Sequence, residues 1–412
     1  MNHIRLLFAS IHGYIDPSNG AATATRDLLE LLAAAGMDCR VLSTGVLDYF
    51  QETSLEPILA ELNVPVRHPD ALLAGGGSVT VYDLELAGVR VTLMPTASSR
   101  YGRSPNPEES ARLLDLAGQV FERFRPDVLL TYGGHPTNLA LMAQARKRGI
   151  AVVFHLHNFA YMDPSPFVDV SVLLVYTEYS RRIYAKRLGL SPVMIPLPYQ
   201  PTRVLASDRD PRYLTFVNPI ADKGVTVFAR IAAELGRRGS EIPLLVVGGR
   251  GPAETLARVG LDLSGLTNLH QMASTTDPRD FFRVSRALLV PSLWQENAAL
   301  VAREAMANGI PILASDRGGL PETLGDSGFL FHIPAHCSPE SGVVPTPTEV
   351  APWVATIERL WNDPAWEAAQ RTRTLEAAQR WAPERLVDVY RQFFARVTSG
   401  RTPSQEWIDS IQ

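Results

Sequence analysis

Cysteine is scarce in this chain, which contains only Cys39 and Cys337 among its 412 residues. The two lie far apart in sequence and match no metal-ligand spacing, so the sequence predicts neither a disulfide scaffold nor a zinc site. A reducing cytosol is the expected compartment.

Long apolar runs are also lacking. No stretch reaches the about 18 residues that a membrane-spanning helix needs. The short run at the N-terminus begins after His3, includes Arg5 and fits a first buried strand better than a signal segment. We therefore expect a soluble, cytoplasmic protein, with peripheral contact with the inner face of the membrane as the alternative.

An excess of basic charge is missing as well. The chain has 39 Lys and Arg against 43 Asp and Glu, for a net charge of -4, so no nucleic-acid partner is predicted. The length and the 46% hydrophobic content exceed what one hydrophobic core usually supports. Two domains are expected, in a monomer or a homodimer.

Short apolar runs alternate with longer segments of helical period, which favours parallel sheets covered by helices. The predicted strands are Ile4–Ala9, Cys39–Thr44, Val89–Met94, Val128–Tyr132, Ala151–His155, Val172–Thr177, Tyr213–Val217, Pro243–Val247, Leu269–Met272, Ala287–Pro291 and Pro311–Ala314. The glycines before Ser78 predict a hairpin or flexible turn. The pattern indicates two Rossmann-like domains.

A proline-rich segment from Pro192 to Pro211 is the clearest linker in the sequence. It places a first domain at residues 1–205 and a second at residues 206–382. Residues 383–412 follow, with a helix predicted over Pro383–Val397 that is apolar enough to pack on two surfaces and that we expect to pack on the first domain.

Three loops after predicted strands of the second domain carry candidate ligand-binding residues, because ligands of open parallel sheets bind at the carboxyl ends of the strands. Lys223 lies at a helix N-terminus, where a cation opposes the helix dipole; either a phosphate binds between them or the lysine is a solvated surface residue. The loop Gly248–Pro252 allows close approach of a ligand, or is simply a tight turn.

The third loop contains Glu296 and Glu304, on either side of the predicted start of a helix near Ala298. Eight helical residues would advance about 12 Å, whereas carboxylates that jointly cleave a glycosidic bond lie about 5 to 9.5 Å apart. The pair is therefore expected to hold different parts of one long ligand. A sugar nucleotide fits, since it has hydroxyls at both ends and a diphosphate between them; a helix N-terminal acid and a surface glutamate are the alternative.

These residues resemble the donor site of retaining GT-B glycosyltransferases of family 4. The resemblance rests on Glu296 and Glu304 with seven residues between them, followed by Ala305-Met306-Ala307, Gly309-Ile310-Pro311 and Gly318-Gly319-Leu320-Pro321-Glu322. It is densest from Tyr213 to Phe331. It implies an α/β protein of GT-B fold, with two Rossmann-like parallel-sheet domains facing a central cleft.

The resemblance also implies roles for residues. Glu296 would contact donor-sugar hydroxyls, Glu304 the ribose, and Lys223 the diphosphate. Asn218 stands where the family usually has arginine, and Asn297-Ala298-Ala299 replaces a usual Gly-Phe-Gly. The remaining implied donor-site residues are Gly20, Asn218, Gly248, Arg250, Met272, Asn297, Ala298, Ala299, Leu300 and Val301.

In the first domain, Asn19-Gly20-Ala21 resembles the family's Gly-Gly loop, which approaches the diphosphate from the opposite domain. His157 matches the family's histidine near the reacting sugar, although a lone histidine after a strand is more often structural. His155, the last residue of that strand, is interpreted as core-facing or structural.

The implied reaction transfers a sugar, with retention of configuration, from a UDP-, GDP- or ADP-sugar to a hydroxyl acceptor such as a glycan, a lipid-linked sugar or a small metabolite. Lys223, His157 and Glu296 are the implied catalytic residues, and neither a metal nor another cofactor is expected. The alternatives are a sugar-nucleotide epimerase, a non-catalytic sugar-nucleotide-binding protein and, least of all, a nicotinamide-dependent oxidoreductase, since no Gly-x-Gly-x-x-Gly follows the first strand.

Fewer features of the sequence indicate the acceptor. Four basic residues cluster after Thr177-Glu178: Arg181, Arg182, Lys186 and Arg187. They fit an anionic acceptor or lipid headgroups, or simply a solvated basic face of a helix.

Overall fold

The computed structural model describes residues 4–49, 52–251 and 253–412, without the side chains of residues 253 and 254. The chain forms two compact units, one of residues up to Pro198 together with Pro383–Gln412, the other of Tyr199–Ala382. The division falls after Pro198, ahead of the boundary predicted near residue 205. Asn308 explains the difference, because its side-chain amide donates to the carbonyl of Val204 (3.0 Å) and accepts from the amide of Ala206 (2.9 Å), which ties this segment to the second unit.

The first unit is built on an eight-stranded sheet. Its strands and those of a separate hairpin are β1 Arg5–His12, β2 Asp38–Val46, β3 Asp70–Leu72, β4 Ser78–Thr80, β5 Tyr82–Leu86, β6 Val89–Met94, β7 Val128–Thr131, β8 Ala151–His155, β9 Val172–Val175 and β10 Val193–Met194. The sheet order is β10-β9-β8-β7-β1-β2-β6-β5, and β3 pairs with β4. All neighbours in the sheet are parallel except β5 and β6.

Burial on both faces accounts for these strands. Every residue of β7 and β9 is buried, as expected for a parallel sheet that helices cover on both sides. The predicted strands Val89–Met94 and Ala151–His155 are confirmed with the same bounds, and the hairpin predicted before Ser78 is confirmed as β3–β4.

Helices flank this sheet in the first unit: α1 Gly20–Ala34, α2 Leu55–Glu61, α3 Pro107–Phe124, α4 Pro136–Lys147 and α5 Glu178–Leu188. Side chains of the preceding residues cap the first turns of α1, α3, α4 and α5. Asn106 and Glu109 form a reciprocal capping box around Pro107 at the start of α3. In these four helices the capping residue therefore fixes where the helix begins.

The second unit repeats the plan with a six-stranded parallel sheet. Its elements are α6 Pro201–Val204, β11 Tyr213–Val217, α7 Val225–Arg237, β12 Leu244–Val247, β13 Leu269–Met272, α8 Arg279–Val284, β14 Ser285–Val290, α9 Leu300–Ala307, β15 Ile312–Ser315, α10 Leu320–Leu324, β16 Phe329–Phe331, α11 Pro347–Asn362 and α12 Pro364–Ala378. The sheet order is β13-β12-β11-β14-β15-β16. The core lies between this sheet and its helices, with Phe216 stacked on Phe228 at 4.8 Å.

The chain then returns to the first unit through α13 Pro383–Thr398 and α14 Gln405–Asp409. The Tyr390 hydroxyl in α13 donates to the carbonyl of Ile195 at 3.3 Å, and Phe393 and Phe394 are fully buried. The Gln405 side chain bonds to both the amide and the carbonyl of Met194, which covers the free edge of β10.

Within the part of the chain that the structure describes, none of the helices combines the length and apolar character needed to cross a bilayer.

Candidate functional site

The candidate site of the second unit lies where β11, β12 and β14 end. In a parallel sheet these carboxyl ends lie along one edge, so the loops that follow the three strands are neighbours. Those loops contain the residues singled out in the sequence.

Lys223 is the last residue of a short 3-10 turn, Ala221–Lys223, ahead of α7. Gly224 follows with φ +82°, and a Cβ atom on it would lie 1.9 Å from the carbonyl oxygen of Pro291. Only glycine fits there, because both the backbone conformation and the space exclude a side chain. This contact brings Lys223 to the end of β14.

Backbone hydrogen bonds also hold the loop after β11 against the loop after β14. The carbonyl oxygen of Asp222 accepts from the amides of Leu293 (2.9 Å) and Trp294 (3.3 Å). The loop after β11 is therefore joined to the loop after β14 without any side chain.

Lys223 and Glu296 meet directly at this junction. The Lys223 ammonium donates to Oε1 of Glu296 at 2.6 Å, and the Ser292 hydroxyl donates to the same oxygen at 2.6 Å. The Lys223 nitrogen also lies 5.3 Å from the centre of the Trp294 ring, within cation–π range. The carboxylate is nearly buried, with 6% of its side chain exposed, whereas Lys223 keeps 29% exposed and can reach a ligand.

The surroundings of Glu296 act on its pKa in opposite directions. Burial raises the pKa of the carboxyl, but the charge of Lys223 and the hydrogen bonds from Lys223 and Ser292 outweigh burial. The pKa of Glu296 is thereby lowered from its ordinary value, and the group is a carboxylate at neutral pH.

The Gly318-Gly319 segment supports the backbone of Glu296. Gly319 donates its amide to the Glu296 carbonyl at 2.7 Å. Gly318 has φ +63°, and a Cβ atom there would lie 2.2 Å from that carbonyl oxygen and 2.4 Å from the Glu296 nitrogen. The glycines of this motif therefore let a second loop pack against the Glu296 main chain.

Helix α9, which contains Glu304, begins later than the sequence predicted. It begins at Leu300, not near Ala298, because Ala299 takes a left-handed conformation with φ +40°. Glu304 consequently lies about one turn into α9, by the 3.6 residues of a helical turn. Its side chain is nearly buried, beside that of Arg303, whose Nη2 lies 3.9 Å from Oε1 of Glu304.

Asn218 braces the glycine-rich loop after β12. It has φ +62°, and its Oδ1 accepts from the amide of Gly251 at 3.4 Å. Gly248 is held in turn by the carbonyl of Met272 at 2.9 Å. Arg250 is half-buried in the same loop, whereas Pro252 lies outside the described residues. Asn218, Gly248, Arg250 and Met272 thus lie in one group of connected loops.

In the first unit, Asn19 is the N-cap of α1 and not simply part of a glycine-like loop. Its Oδ1 accepts from the amides of Ala21 (2.8 Å) and Ala22 (3.4 Å), which satisfies two donors of the first turn. Gly20 is the exposed first residue of the helix.

His157 lies in a cluster of aromatic rings and hydroxyl groups at the carboxyl ends of the strands of the first unit. Its Nε2 is 3.1 Å from Nδ1 of His155, and the Tyr176 hydroxyl lies 3.3 Å from its ring nitrogens. The Tyr132 ring contacts it edge-on at 4.9 Å and stacks on His12 at 5.4 Å. His155 is fully buried, as interpreted from the sequence, and contacts His157 directly.

Burial keeps these imidazoles neutral. It lowers the pKa of His157 to about 3, with the neighbouring His12 as a smaller cause. It likewise lowers the pKa of His12 to about 4, with His135 as the smaller cause. At neutral pH both can accept or donate a hydrogen bond without carrying charge.

The basic cluster after Thr177 is partly neutralised within α5. Arg181 donates to both carboxylate oxygens of Glu178, at 2.6 and 2.8 Å, and Arg182 lies 3.8 Å from the same carboxylate. Lys186 and Arg187 belong to the last turn, where cations complement the helix dipole.

Sequence reasoning missed several residues of these two sites. Ser292 and Trp294 directly follow β14, so their position after a strand was a signal available in the sequence. Tyr132 and Tyr176 follow β7 and β9 in the same way, and His12 is the last residue of β1. A single hydroxyl or aromatic residue at the end of a strand is common, so this position alone does not indicate a binding site.

Comparisons with protein families cover most of the chain. A profile described as Glycosyl transferases group 1 matches residues 211–363, and one described as Glycosyl transferase 4-like domain matches residues 19–194. The two matches fall in the second and first unit, respectively.

Similar proteins of known name include the D-inositol 3-phosphate glycosyltransferase of Frankia alni, which is 30% identical over 183 residues. That match spans 42% of this chain and 42% of the relative's length. The GDP-mannose-dependent alpha-(1-6)-phosphatidylinositol monomannoside mannosyltransferase of Mycolicibacterium smegmatis is 25% identical over 338 residues, which are 73% of this chain and 82% of the relative.

Among solved structures, sucrose-phosphate synthase from Thermosynechococcus elongatus superposes with a TM-score of 0.66 at 16% identity. The superposition covers 96% of this chain and 100% of that one. At this identity the likeness establishes the fold alone, which is GT-B.

Proposed function

We propose that this chain, which belongs to the glycosyl transferases group 1 (family 4, GT-B fold), moves a sugar from a nucleotide diphosphate sugar to a hydroxyl acceptor with retention of anomeric configuration. The observation that carries the proposal is the Lys223–Glu296 pair at the carboxyl edge of the second sheet. A cation beside a nearly buried carboxylate at this edge suits a ligand that has both phosphates and hydroxyls.

The donor is held, in this proposal, by groups of opposite character. Lys223 binds the diphosphate, Glu296 accepts hydrogen bonds from the donor-sugar hydroxyls, and Glu304 accepts them from the ribose. The amides of residues 297–301 contribute to sugar and phosphate binding in this proposal. Those of Leu300 and Val301 lie in the first turn of α9, where amides have no acceptor within the helix.

The chemical step depends on the leaving group. As the sugar departs, negative charge grows on the diphosphate, and Lys223 and the amides at the start of α9 stabilise that charge. The diphosphate itself assists the incoming hydroxyl. No metal or further cofactor is needed for this step, because fixed protein charges and dipoles supply the stabilisation.

In the first unit, we assign His157 a contact with the reacting sugar and Gly20 a contact with the diphosphate. A neutral imidazole suits the first role, because it can bond a hydroxyl without requiring a counter-ion. The hydrogen bonds of His157 with His155 and Tyr176 would orient its ring.

The donor nucleotide is UDP, GDP or ADP, and the GDP-mannose dependence of the mycobacterial relative favours GDP for the first trial. The acceptor is a glycan, a lipid-linked sugar or a small metabolite. We place the enzyme in the cytoplasm as a monomer or homodimer. Lys186 and Arg187 on α5 offer a small basic surface for peripheral contact with anionic lipid, which cosedimentation with liposomes at low salt tests.

The sugar-nucleotide epimerase is not favoured, because both matching profiles describe glycosyl transferases. The non-catalytic binding protein differs from our proposal in one observable: it binds donors without consuming them.

The test is a panel of UDP-, GDP- and ADP-sugars. The preferred donor should raise the melting temperature and be slowly hydrolysed without acceptor, and NMR should show the released sugar with its original anomeric configuration. Glu304→Ala should weaken binding of the free nucleoside diphosphate, because the ribose contact is lost. Glu358→Ala is the matched control, since Glu358 pairs with Arg238 at 3.0 Å in the same unit.

Two outcomes contradict parts of the proposal. Unchanged nucleoside diphosphate affinity in Glu304→Ala would disprove the ribose contact, and donor binding without turnover in the presence of acceptors would favour the non-catalytic protein. An epimerised donor with no nucleotide released would favour the isomerase.

A further inference from the structure

A group of metal-ligating side chains that no motif indicates lies in the second unit, between β16 and α11. The chain turns back after Phe331, so that His336 and Cys337 meet Glu349 in the first turn of α11. One ligand atom from each of the three residues lies within 4.8 Å of the other two.

The separation of two of these atoms matches metal coordination better than a hydrogen bond. Nε2 of His336 is 3.4 Å from Oε1 of Glu349. An N–H···O hydrogen bond is usually about 2.7–3.2 Å long. Two ligand atoms at about 2.1 Å from a tetrahedral zinc ion are about 3.4 Å apart.

The Glu349 carboxylate is already oriented for a monodentate ligand. Its Oε2 accepts from the Thr346 amide (2.7 Å) and from the Thr346 hydroxyl (2.9 Å) in the capping box of α11. Those bonds occupy one oxygen and direct the other, Oε1, toward His336. Hydrogen-bonded carboxylates of this kind are typical of the shell around metal ligands.

Cys337 supplies the soft ligand from the core side. Its side chain is fully buried in the hydrophobic core of the second unit, and its amide donates to the Pro334 carbonyl in a turn. His336, the next residue back, is exposed. A metal here would therefore lie at the core surface, with its remaining position open to water.

We propose that His336, Cys337 and Glu349 bind Zn²⁺ as a three-ligand site completed by water. Thiolate and imidazole favour zinc over Mg²⁺ and Ca²⁺, which prefer oxygen ligands. Zinc with one thiolate, one carboxylate and a neutral imidazole has no net charge, and binding releases the thiol proton. The ion would fasten the segment after β16 to the N-terminus of α11, so its role is structural and separate from the transfer step.

The experiment measures zinc binding to the full chain after treatment with a chelator and removal of the chelator. Calorimetry should show one Zn²⁺ per chain and no binding of Mg²⁺, and Co²⁺ should give a thiolate-to-metal charge-transfer absorption. His336→Gln should weaken zinc binding by about 100-fold or more through loss of one ligand; because His336 is exposed, this variant should fold normally. Glu349→Gln keeps the capping box, since glutamine also serves there, and should weaken binding as well.

Cys337→Ser and Cys39→Ser form the matched pair, because both replace a buried thiol and only the first touches the proposed site. Cys337→Ser should abolish the Co²⁺ charge-transfer band, and Cys39→Ser should leave it intact. Zinc binding that is equal in wild type and His336→Gln would overturn the proposal, as would the absence of equimolar zinc on the wild type. In that case His336 and Glu349 form only a surface ion pair beside a core cysteine.

Discussion

Replacing Glu296 by glutamine tests the donor site most sharply, because the change removes charge and preserves shape. The glutamine oxygen can still accept hydrogen bonds from Lys223 and Ser292, which lie 2.6 Å from Oε1 in the wild type. The Lys223 ammonium, however, loses the anion that it faces.

The expected magnitude follows from the burial of the pair. Exposed ion pairs contribute about 0.2–1 kcal/mol, and breaking a fully buried pair costs about 3–5 kcal/mol. This pair is intermediate, with side chains 29% and 6% exposed, and its accessible lysine places it near the lower range. We take about 1 kcal/mol for the attraction that a diphosphate must overcome to engage Lys223.

Glu296→Gln should therefore bind free nucleoside diphosphate about fivefold more tightly, the equivalent of about 1 kcal/mol. Sugar transfer should instead fall by about tenfold to 100-fold, because the sugar hydroxyls then donate to a neutral acceptor and no longer to a charged one. One substitution should thus move affinity and activity in opposite directions.

Calorimetry with UDP, GDP and ADP measures the first effect, and the initial rate of donor consumption measures the second. Glu358→Gln, which removes the same charge from the pair with Arg238, should change neither. If Glu296→Gln binds the nucleoside diphosphate tenfold more weakly while the control is unchanged, the carboxylate does not compete for Lys223 and the assignment is refuted.

Three further predictions concern stability. Gly318→Ala should lower the free energy of unfolding by about 2 kcal/mol or more, because its Cβ would clash with the Glu296 backbone; urea unfolding that matches wild type would contradict this. Ser292→Ala should cost about 1.5–3 kcal/mol in the same assay, since a charged, nearly buried acceptor loses a donor, and a cost near zero would show that water replaces the hydroxyl. His12 and His157 have pKa values of about 4 and about 3 in the folded protein, below the ordinary 6.5. Below about pH 6.5 the unfolded chain therefore binds more protons than the folded one, and the free energy of unfolding should fall as the pH decreases. The free energy of unfolding can change by at most about 1.4 kcal/mol per pH unit for each histidine, and by less where water reaches the ring. His157→Phe should reduce the pH dependence of the free energy of unfolding between about pH 7 and pH 5. An unchanged pH dependence would show that His157 does not contribute.

The strands of both units could be predicted because burial on two faces leaves a short, unbroken apolar run in the sequence. Val172–Val175 and Leu244–Val247 are wholly buried and show it clearly, and both lie within the predicted strands Val172–Thr177 and Pro243–Val247. The edge strands Tyr82–Leu86 and Phe329–Phe331 were not predicted, since each is short and partly exposed. At an edge, pairing with a neighbour decides the structure more than composition does.

The start of α9 shows how tertiary contacts override local propensity. Alanine is the strongest helix former, and the helix was expected to start near Ala298. In the structure, Gly319 holds the Glu296 carbonyl, and the chain passes through a left-handed residue at Ala299 before it can turn helical. The family's usual glycine at this position would adopt that conformation without strain, whereas an alanine in the sequence does not predict a left-handed residue.

The metal-ligand group could not be predicted for a different reason. His336 and Cys337 are separated from Glu349 by a loop that returns on itself, so their spacing has no period of a helix or a strand. The sequence showed two isolated cysteines and no zinc motif. Only the fold places a carboxylate from a helix cap beside them.

Asn218 replaces the arginine that the family usually has near the diphosphate, and this replacement bears on the chemistry of the proposed donor site. Asparagine adopts the left-handed conformation several times more often than arginine, and its short amide reaches Gly251 across the neighbouring loop. The residue that stands in place of the family's arginine therefore braces the glycine-rich loop instead of supplying a cation. In the proposed reaction, compensation of the diphosphate charge then rests on Lys223 and on backbone amides. Because Lys223 also donates to Glu296, donor binding in the proposed reaction would draw that lysine away from the carboxylate.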